Sequence, residues 1–180
     1  MATRRIRLIV EYDGTGLAGW QRQDNGPTVQ GHIEQALTEL LGQPTQVAGA
    51  SRTDAGVHAL GQVANFHTTA DLTPARILRG ANALTGADLL VRDIQKVADD
   101  FHARHSAHRR HYLDLLLEHR AVFWEARAYL PRCVPAIDPM NAAVRHLVGE
   151  HDFAAFSCFA KEERHTRSRV DYAFWEPWEH

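Results

Sequence analysis

The sequence has no long apolar segment and almost no cysteine. None of its hydrophobic runs approaches the roughly 20 residues that a membrane-spanning helix requires, and its N-terminus, MATRRIRLIV, has no signal-peptide core or cleavage site after the arginines. Its two cysteines, Cys133 and Cys158, lack the spacing of a metal-binding or redox motif. These absences predict a cytoplasmic protein with free thiols and no association with a membrane.

Lysine is scarce as well, because arginine supplies 18 of the 20 basic residues. The formal net charge of −2 means that the whole molecule is not a polycation, but many of the arginines lie in short clusters. A guanidinium group binds phosphate through two parallel hydrogen bonds, so clustered arginines favour contact with nucleic acid at selected phosphates. Solvated arginine-rich faces are the alternative. The clusters are Arg4, Arg5 and Arg7; Arg104, Arg109 and Arg110; and Arg164, Arg167 and Arg169.

The first hundred residues predict a complete series of strands and helices. The hydrophobic pattern predicts strands in RIRLIVEY, TQVAGA, GQVANFHT and DLLVRDIQKV. Thr28 and Gly42 are residue types that begin and end a helix, and Thr73 followed by Pro74 predicts the start of a second one. The glycine-rich loop after the first strand, DGTGLAGWQRQDNGP, lacks the spacing and the lysine of a P-loop. This argues against nucleotide binding by a P-loop.

The rest of the chain repeats this order only in part. The predicted elements are a strand through Leu113, Leu115 and Leu117, a helix that begins at Asp138 and ends at Gly149, and a last strand in RVDYAFWEP. The partial repetition predicts an α+β protein with two related halves, residues 1–100 and 101–180. The last strand is apolar and aromatic, which predicts an uncovered sheet edge.

The segment GASRTDAGVHA, residues 49–59, places an arginine, an aspartate and a histidine among glycines and alanines. It lies between two predicted strands, and loops at the end of a sheet often carry functional residues. A guanidinium group at Arg52 would keep the carboxylate of Asp54 ionised and able to act as a nucleophile or a base. The small neighbours would leave room for a flat substrate. The alternative is a turn held by a surface ion pair.

Four histidines recur at every third position from His102 to His111, which invites a metal-binding interpretation. In a strand this spacing alternates between the two faces, and in a helix it carries the last histidine to the side opposite the first. No carboxylate or thiol completes a ligand set, so we predict no metal site. The histidines, together with Arg104, Arg109 and Arg110, are instead candidates for the border of a phosphate path.

The aromatic residues are mostly predicted to lie in the core. Phe66, Trp124, Phe153 and Phe156 are interpreted in this way. Tyr112 follows the basic stretch directly, and two interpretations remain open for it. A tyrosine that enters a strand usually packs in a core, whereas one beside an arginine-rich cleft can stack on a nucleic-acid base.

Several blocks, taken together and in order, resemble a known family. They are EYDGTGLAGWQRQ, TVQGHIEQAL, GASRTDAGVHALGQVANFHT, DDFHARHSAHRRHY and LVGEHDFAAFS. The chain is identified on these blocks as a member of the tRNA pseudouridine synthases that act on the anticodon stem-loop. The likeness runs from about Ile6 to about Arg169, and the block around Asp54 is the most specific.

The resemblance implies an isomerase that converts uridine to pseudouridine at positions 38–40 of tRNA, without a cofactor. Asp54 matches the family's catalytic aspartate, Arg52 the arginine of the same motif, and Tyr112 the tyrosine that stacks against the target base. Arg104 and Arg110 are further candidates for substrate binding. Homodimers of the family bind tRNA by shape in basic clefts, so tRNA and a second copy of the chain are the expected partners.

The family further implies two α/β halves with mainly antiparallel sheets flanked by helices. Its members continue beyond the strand that resembles RVDYAFWEP with another strand and a helix, so we expect the second half of this chain to be incomplete. The chain also departs from the family at His111, Leu113 and Asp114, where an arginine, an arginine and a tyrosine are usual. The alternative function is therefore a catalytically impaired, truncated remnant that retains RNA binding.

Overall fold

The computed structural model describes residues 3–156 and 166–178, so Cys158 and Arg164 lie outside the described residues. The chain forms two compact units. The first contains the residues up to Leu115 together with Val122–Ala128, and the second contains Leu116–Ala121 and the residues from Tyr129 onward. The boundary that the sequence suggests between residues 100 and 101 stays a prediction.

The first unit is a four-stranded antiparallel sheet with two helices. The strands lie in the order β2-β3-β1-β4, and all neighbouring pairs are antiparallel. The elements are β1 (Arg4–Tyr12), α1 (Val29–Leu41), β2 (Val47–Gly49), β3 (Ala59–Thr68), α2 (Pro74–Leu84) and β4 (Leu89–Val97). This mixture of helices and antiparallel strands confirms the predicted α+β class.

The core of this unit lies between the helices and one face of the sheet. Strand β1 alternates as the sequence predicts, because Ile6, Leu8 and Val10 are fully buried and the intervening residues are only partly covered. The apolar stripes of α1 and α2, which include Ile33 and Ile77, belong to the same buried cluster. None of the helices in the described part of the chain is long and apolar enough to cross a membrane.

Both helices begin and end close to where their cap residues indicate. The hydroxyl of Thr28 accepts a hydrogen bond from the amide of Gly31, and the hydroxyl of Thr73 accepts one from the amide of Arg76. Gly42 ends α1 in the left-handed conformation, with φ of 65°, where a side chain would be strained. The predicted start and end of the first helix and the predicted start of the second are confirmed, because the caps are local interactions.

At the short edge strand β2, side chains of α1 occupy both backbone groups of Val47. The amide of Val47 donates to Glu34 Oε1 at 2.9 Å, and Gln30 Nε2 donates to the carbonyl oxygen of Val47 at 3.0 Å. An unpaired edge strand is a template for pairing with another chain. Glu34 and Gln30 thus cover the edge at Val47, and they fix the start of the strand that leads into the Asp54 loop.

The second unit is smaller and less buried than its sequence pattern predicts. Its regular elements in the described residues are α3 (Ile137–Val144), β5 (Gly149–Asp152) and β6 (Arg167–Val170), with β5 and β6 antiparallel. The helix predicted to end at Gly149 therefore ends five residues earlier, and Gly149 begins a strand instead. No residue of α3 is buried.

Two further predictions in the second half of the chain are wrong. No strand runs through Leu113, Leu115 and Leu117; a single bridge joins Leu116 to Tyr129 instead. The last strand ends at Val170 rather than continuing through RVDYAFWEP, and Tyr172 and Phe174 are exposed. Apolar alternation indicates a strand only where a partner strand and a buried face exist, and β6 pairs with β5 alone among the described strands.

Only one of the four aromatic residues predicted to lie in the core is fully buried. Phe66 on β3 is 1% exposed, which confirms its place in the core. Trp124 and Phe153 are half-buried. Phe156 is 78% exposed, so its assignment to the core is wrong. The sequence distinguishes buried from exposed aromatics only where the surrounding pattern also specifies a sheet face.

Candidate active site

The loop between β2 and β3 carries Asp54 on a backbone that is hydrogen-bonded at successive positions. The amide of Ala50 donates to the carbonyl oxygen of Val63 at 2.8 Å, and Gln62 Nε2 donates to the carbonyl oxygen of Ser51 at 2.9 Å. Beyond Asp54, the amide of Val57 closes a turn onto the carbonyl oxygen of Asp54 at 3.2 Å. These bonds fix the backbone on both sides of the candidate catalytic residue.

The glycine-rich loop after β1 packs directly against the Asp54 loop. The amide of Trp20 donates to the carbonyl oxygen of Thr53 at 3.0 Å. The amide of Gly56 donates to the carbonyl oxygen of Leu17 at 3.2 Å. A Cβ atom on Gly19, where φ is +96°, would lie 2.7 Å from the carbonyl oxygen of Thr53. Glycine is required there both for its conformation and for this close approach.

A buried tyrosine, Tyr12, forms a hydrogen bond with the Asp54 loop. The hydroxyl groups of Tyr12 and Thr53 share a hydrogen bond of 2.8 Å. Burial raises the pKa of the Tyr12 phenol above its ordinary value, and hydrogen bonding to Thr53 and Gln62 partly offsets this effect. The phenol therefore remains protonated as a neutral hydrogen-bonding group next to the residue that precedes Asp54.

A cluster of polar side chains around Asp13 holds the end of the loop. His58 Nδ1 lies 3.1 Å from Asp13 Oδ1, and Asp13 also pairs with the guanidinium group of Arg127. His58 Nε2 lies 2.8 Å from the carbonyl oxygen of Ala126. The side-chain and backbone hydrogen bonds that Asp13 accepts from Thr15 hold the pKa of the Asp13 carboxyl below its ordinary value, and the nearby Arg127 and His58 add to this effect.

Asp54 and Arg52 themselves are exposed, and no salt bridge joins them. Within residues 3–156 and 166–178, the carboxylate of Asp54 has no side-chain hydrogen-bond or ion-pair partner. The predicted ion pair between the two is therefore wrong. Exposed charges gain little from pairing in water, and the side chain between them, Thr53, is the one that is hydrogen-bonded to the buried Tyr12.

The remaining predicted residues follow β4 in an irregular segment. Arg110 Nη2 donates to the carbonyl oxygen of Ala50 at 3.1 Å, which ties this segment to the base of the Asp54 loop. Tyr112 is 78% exposed, which excludes the core interpretation of this residue. Arg104 is exposed too, and the amide of Arg104 donates to His102 Nδ1 at 3.2 Å. Of these three residues, Arg110 is thus the one shown to form a hydrogen bond with the Asp54 loop.

The match to a known family includes this site. Residues 8–106 match the family model described as tRNA pseudouridine synthase. The chain is 44% identical over 176 residues to tRNA pseudouridine synthase A of Sinorhizobium medicae, an alignment that covers 93% of this chain and 71% of that protein. The chain belongs to the tRNA pseudouridine synthase family. Pseudouridine synthases are isomerases, so the family and the class of enzyme expected from the sequence blocks are confirmed.

Other relatives of the pseudouridine synthase family agree with this assignment. tRNA pseudouridine synthase A of Chlorobaculum tepidum is 39% identical over 173 residues, covering 96% of this chain and 70% of that protein. The same enzyme of Agrobacterium fabrum is 41% identical over 181 residues, covering 93% and 66%. The chain therefore spans about two thirds of the length of these pseudouridine synthases.

Sequence reasoning missed the residues that support the site in this pseudouridine synthase family member. Tyr12 and Trp20 are 3% and 2% exposed, and Gln62 is buried although it is polar. Gln62 gave the available signal, because a glutamine within an apolar strand requires a hydrogen-bonding partner. The pairing of Tyr12 with Thr53 has no local sequence signal, since 41 residues separate them.

A cleft of the first unit is lined by residues other than Asp54. Its volume is about 1210 Å³, and residues of α1, β2 and β3 line it, whereas Asp54, Arg52 and Tyr112 do not. Arg5, His67 and His102 contribute polar groups to it. Burial lowers the pKa of His102 below its ordinary value, and the nearby His105 and Arg5 act in the same direction. Space for a flipped uridine beside Asp54 stays a prediction.

Proposed function

We propose that this chain isomerises uridine to pseudouridine at positions 38–40 of the tRNA anticodon stem-loop, with Asp54 as the catalytic residue. The observation that carries the proposal is the family match over residues 8–106, which contain the Asp54 loop. The exposed carboxylate on a firmly hydrogen-bonded backbone supports it, because a catalytic group must be accessible and held in a defined orientation.

The chemistry that this proposal assigns to Asp54 is balanced within the substrate. The bond between N1 of the base and C1′ of the ribose breaks, the base turns, and a bond forms between C5 and C1′. The proton on C5 is released while N1 gains one, so no electrons are exchanged and no redox cofactor is required. Asp54 acts as an ionised group that attacks the sugar or the base, or that removes a sugar proton.

The other proposed site residues bind the substrate. Arg52, Arg104 and Arg110 are proposed to contact phosphates or to help extrude the target, and Arg110 lies close enough to do so because it already binds the base of the Asp54 loop. The target uridine has to leave its stack before Asp54 can reach it. Tyr112, which is 78% exposed, then provides a ring on which the flipped base stacks.

We expect Tyr112→Ala to lower kcat/KM for tRNA by about tenfold, since stacking of a base on an aromatic ring is worth about 1–3 kcal/mol. Tyr112→Phe keeps the ring and should remain within about threefold of the unaltered chain. Steady-state kinetics on tRNA transcripts would measure the effect. Equal losses in the two variants would show that the hydroxyl, not the ring, is important.

A homodimer and a cytoplasmic location complete the proposal. tRNA is the substrate that the names of the relatives indicate, and the location follows from that substrate. The homodimer is supported by the likeness to the family and by the exposed apolar side chains of the second unit, such as Phe156 and Phe174.

The experiment that tests the function is release of tritium from tRNA labelled at C5 of uridine. We expect tritium release in parallel with pseudouridine formation, and carbodiimide mapping should locate the product at positions 38–40. A transcript without uridine at these positions is the control. A folded chain that binds tRNA without releasing tritium would instead support the RNA-binding remnant and contradict the proposed enzyme.

A further inference from the structure

Tyr12 is the last residue of β1, and its side chain is almost fully buried at 3% exposure. The pairing of β1 with both β3 and β4 shifts in register near this end of the strand. Irregularities of this kind often lie next to active sites, where they redirect a side chain. The ring of Tyr12 lies 6.2 Å from that of Trp20, in a tilted arrangement, so its position is fixed by packing.

The phenol hydroxyl makes a side-chain hydrogen bond to the residue before Asp54. It shares a hydrogen bond of 2.8 Å with Thr53 Oγ1. The carbonyl oxygen of Thr53 is held separately, by the amide of Trp20 at 3.0 Å. Thr53 is therefore fixed at its side chain and its backbone, whereas the carboxylate of the next residue has no side-chain partner in the described part of the chain.

We propose that Tyr12 is a positioning residue of the proposed isomerase: its hydroxyl group fixes Thr53 and thereby sets the direction of the Asp54 carboxylate. The inference rests on the function proposed above. Because the Asp54 carboxylate has no side-chain hydrogen-bond or ion-pair partner among the described residues, the backbone must define its orientation. A misplacement of a catalytic group by about 1 Å can reduce the rate about a hundredfold, so one hydrogen bond at the neighbouring residue has a measurable effect.

Kinetics test the consequence for catalysis. Tyr12→Phe retains the ring and removes the hydroxyl, and it should lower kcat about tenfold with KM unchanged within about twofold. Thr53→Val should give the same loss, whereas Thr53→Ser, which keeps the hydroxyl, should retain nearly full activity. The double variant Tyr12→Phe/Thr53→Val should lose no more activity than either single variant. Tyr129→Phe, on a tyrosine that is 66% exposed, is the matched control and should have no effect.

Amide hydrogen exchange tests the same inference without depending on activity. In Tyr12→Phe, the amides of Trp20 and Val57, which bond to the carbonyl oxygens of Thr53 and Asp54, should exchange about tenfold faster. The amide of Ile77 at the start of α2 should be unchanged.

The two experiments separate the inference from the function. An inactive unaltered chain would contradict the proposed function, and the exchange result would still decide whether Tyr12 fixes the loop. Unchanged exchange at Trp20 and Val57 would overturn the inference. A lower melting temperature with unchanged kcat would overturn it too, because that result describes a residue needed only for stability.

Discussion

Asp54→Asn is expected to abolish tritium release, with kcat reduced about 10³-fold or more. An amide has nearly the size of a carboxylate but is neutral, so it cannot serve as the nucleophile or the base that the isomerisation requires. The side chain of Asp54 is exposed and, among the described residues, has no hydrogen-bond or ion-pair partner. The substitution therefore removes the chemistry and leaves the fold intact.

Single-turnover kinetics on labelled tRNA would measure this loss, and thermal unfolding would confirm that the melting temperature changes by less than about 1 °C. Asp24→Asn is the matched control, because Asp24 is also an exposed loop aspartate and, among the described residues, makes no hydrogen bond or ion pair with the Asp54 loop. The control should retain full activity. Turnover within tenfold of the unaltered chain in Asp54→Asn would contradict the assignment of Asp54 as the catalytic residue.

The sequence predicted the first unit well because its elements depend on local features. The alternation in β1, the cap at Thr28 and the left-handed Gly42 each arise from a few neighbouring residues. The second half of the chain was predicted poorly because its apolar segments, such as the one around Leu115, have no buried face among the described residues. Alternation alone does not specify a strand when no partner strand covers it.

The sequence indicated a candidate reacting group, Asp54, whose catalytic role stays a prediction, but it did not indicate the residues that support the loop. The residue types of GASRTDAGVHA indicated Asp54 and, with the family resemblance, the chemistry. They also suggested an ion pair with Arg52 that the structure does not contain. The actual supports are Tyr12 and the glycine-rich loop, which come from distant positions in the chain. Only the folded arrangement brings them to the Asp54 loop.

Gly14→Ala is expected to be the most damaging small substitution outside the Asp54 loop, with turnover reduced about a hundredfold. A Cβ atom on Gly14 would lie 2.1 Å from the carbonyl oxygen of Val57 and 2.7 Å from its carbonyl carbon. These are backbone atoms, so no rotation of a side chain can relieve the clash. The turn that follows Asp54 must move, and the unfolding free energy should fall by about 1–3 kcal/mol.

Gly16→Ala provides the matched control in the same glycine-rich loop. Nothing lies within 4 Å of a Cβ atom on Gly16, and neither Gly14 nor Gly16 has a positive φ, so the two substitutions differ only in the contact that they create. Gly16→Ala should therefore leave turnover unchanged and raise stability slightly, by about 0.5 kcal/mol, because alanine restricts the unfolded chain. Chemical denaturation and tritium release would measure both variants. If Gly14→Ala behaved as Gly16→Ala does, the close packing of the glycine-rich loop on Val57 would not be what holds Asp54 in place. The turn between Asp54 and Val57 would then have to fix Asp54 without that packing.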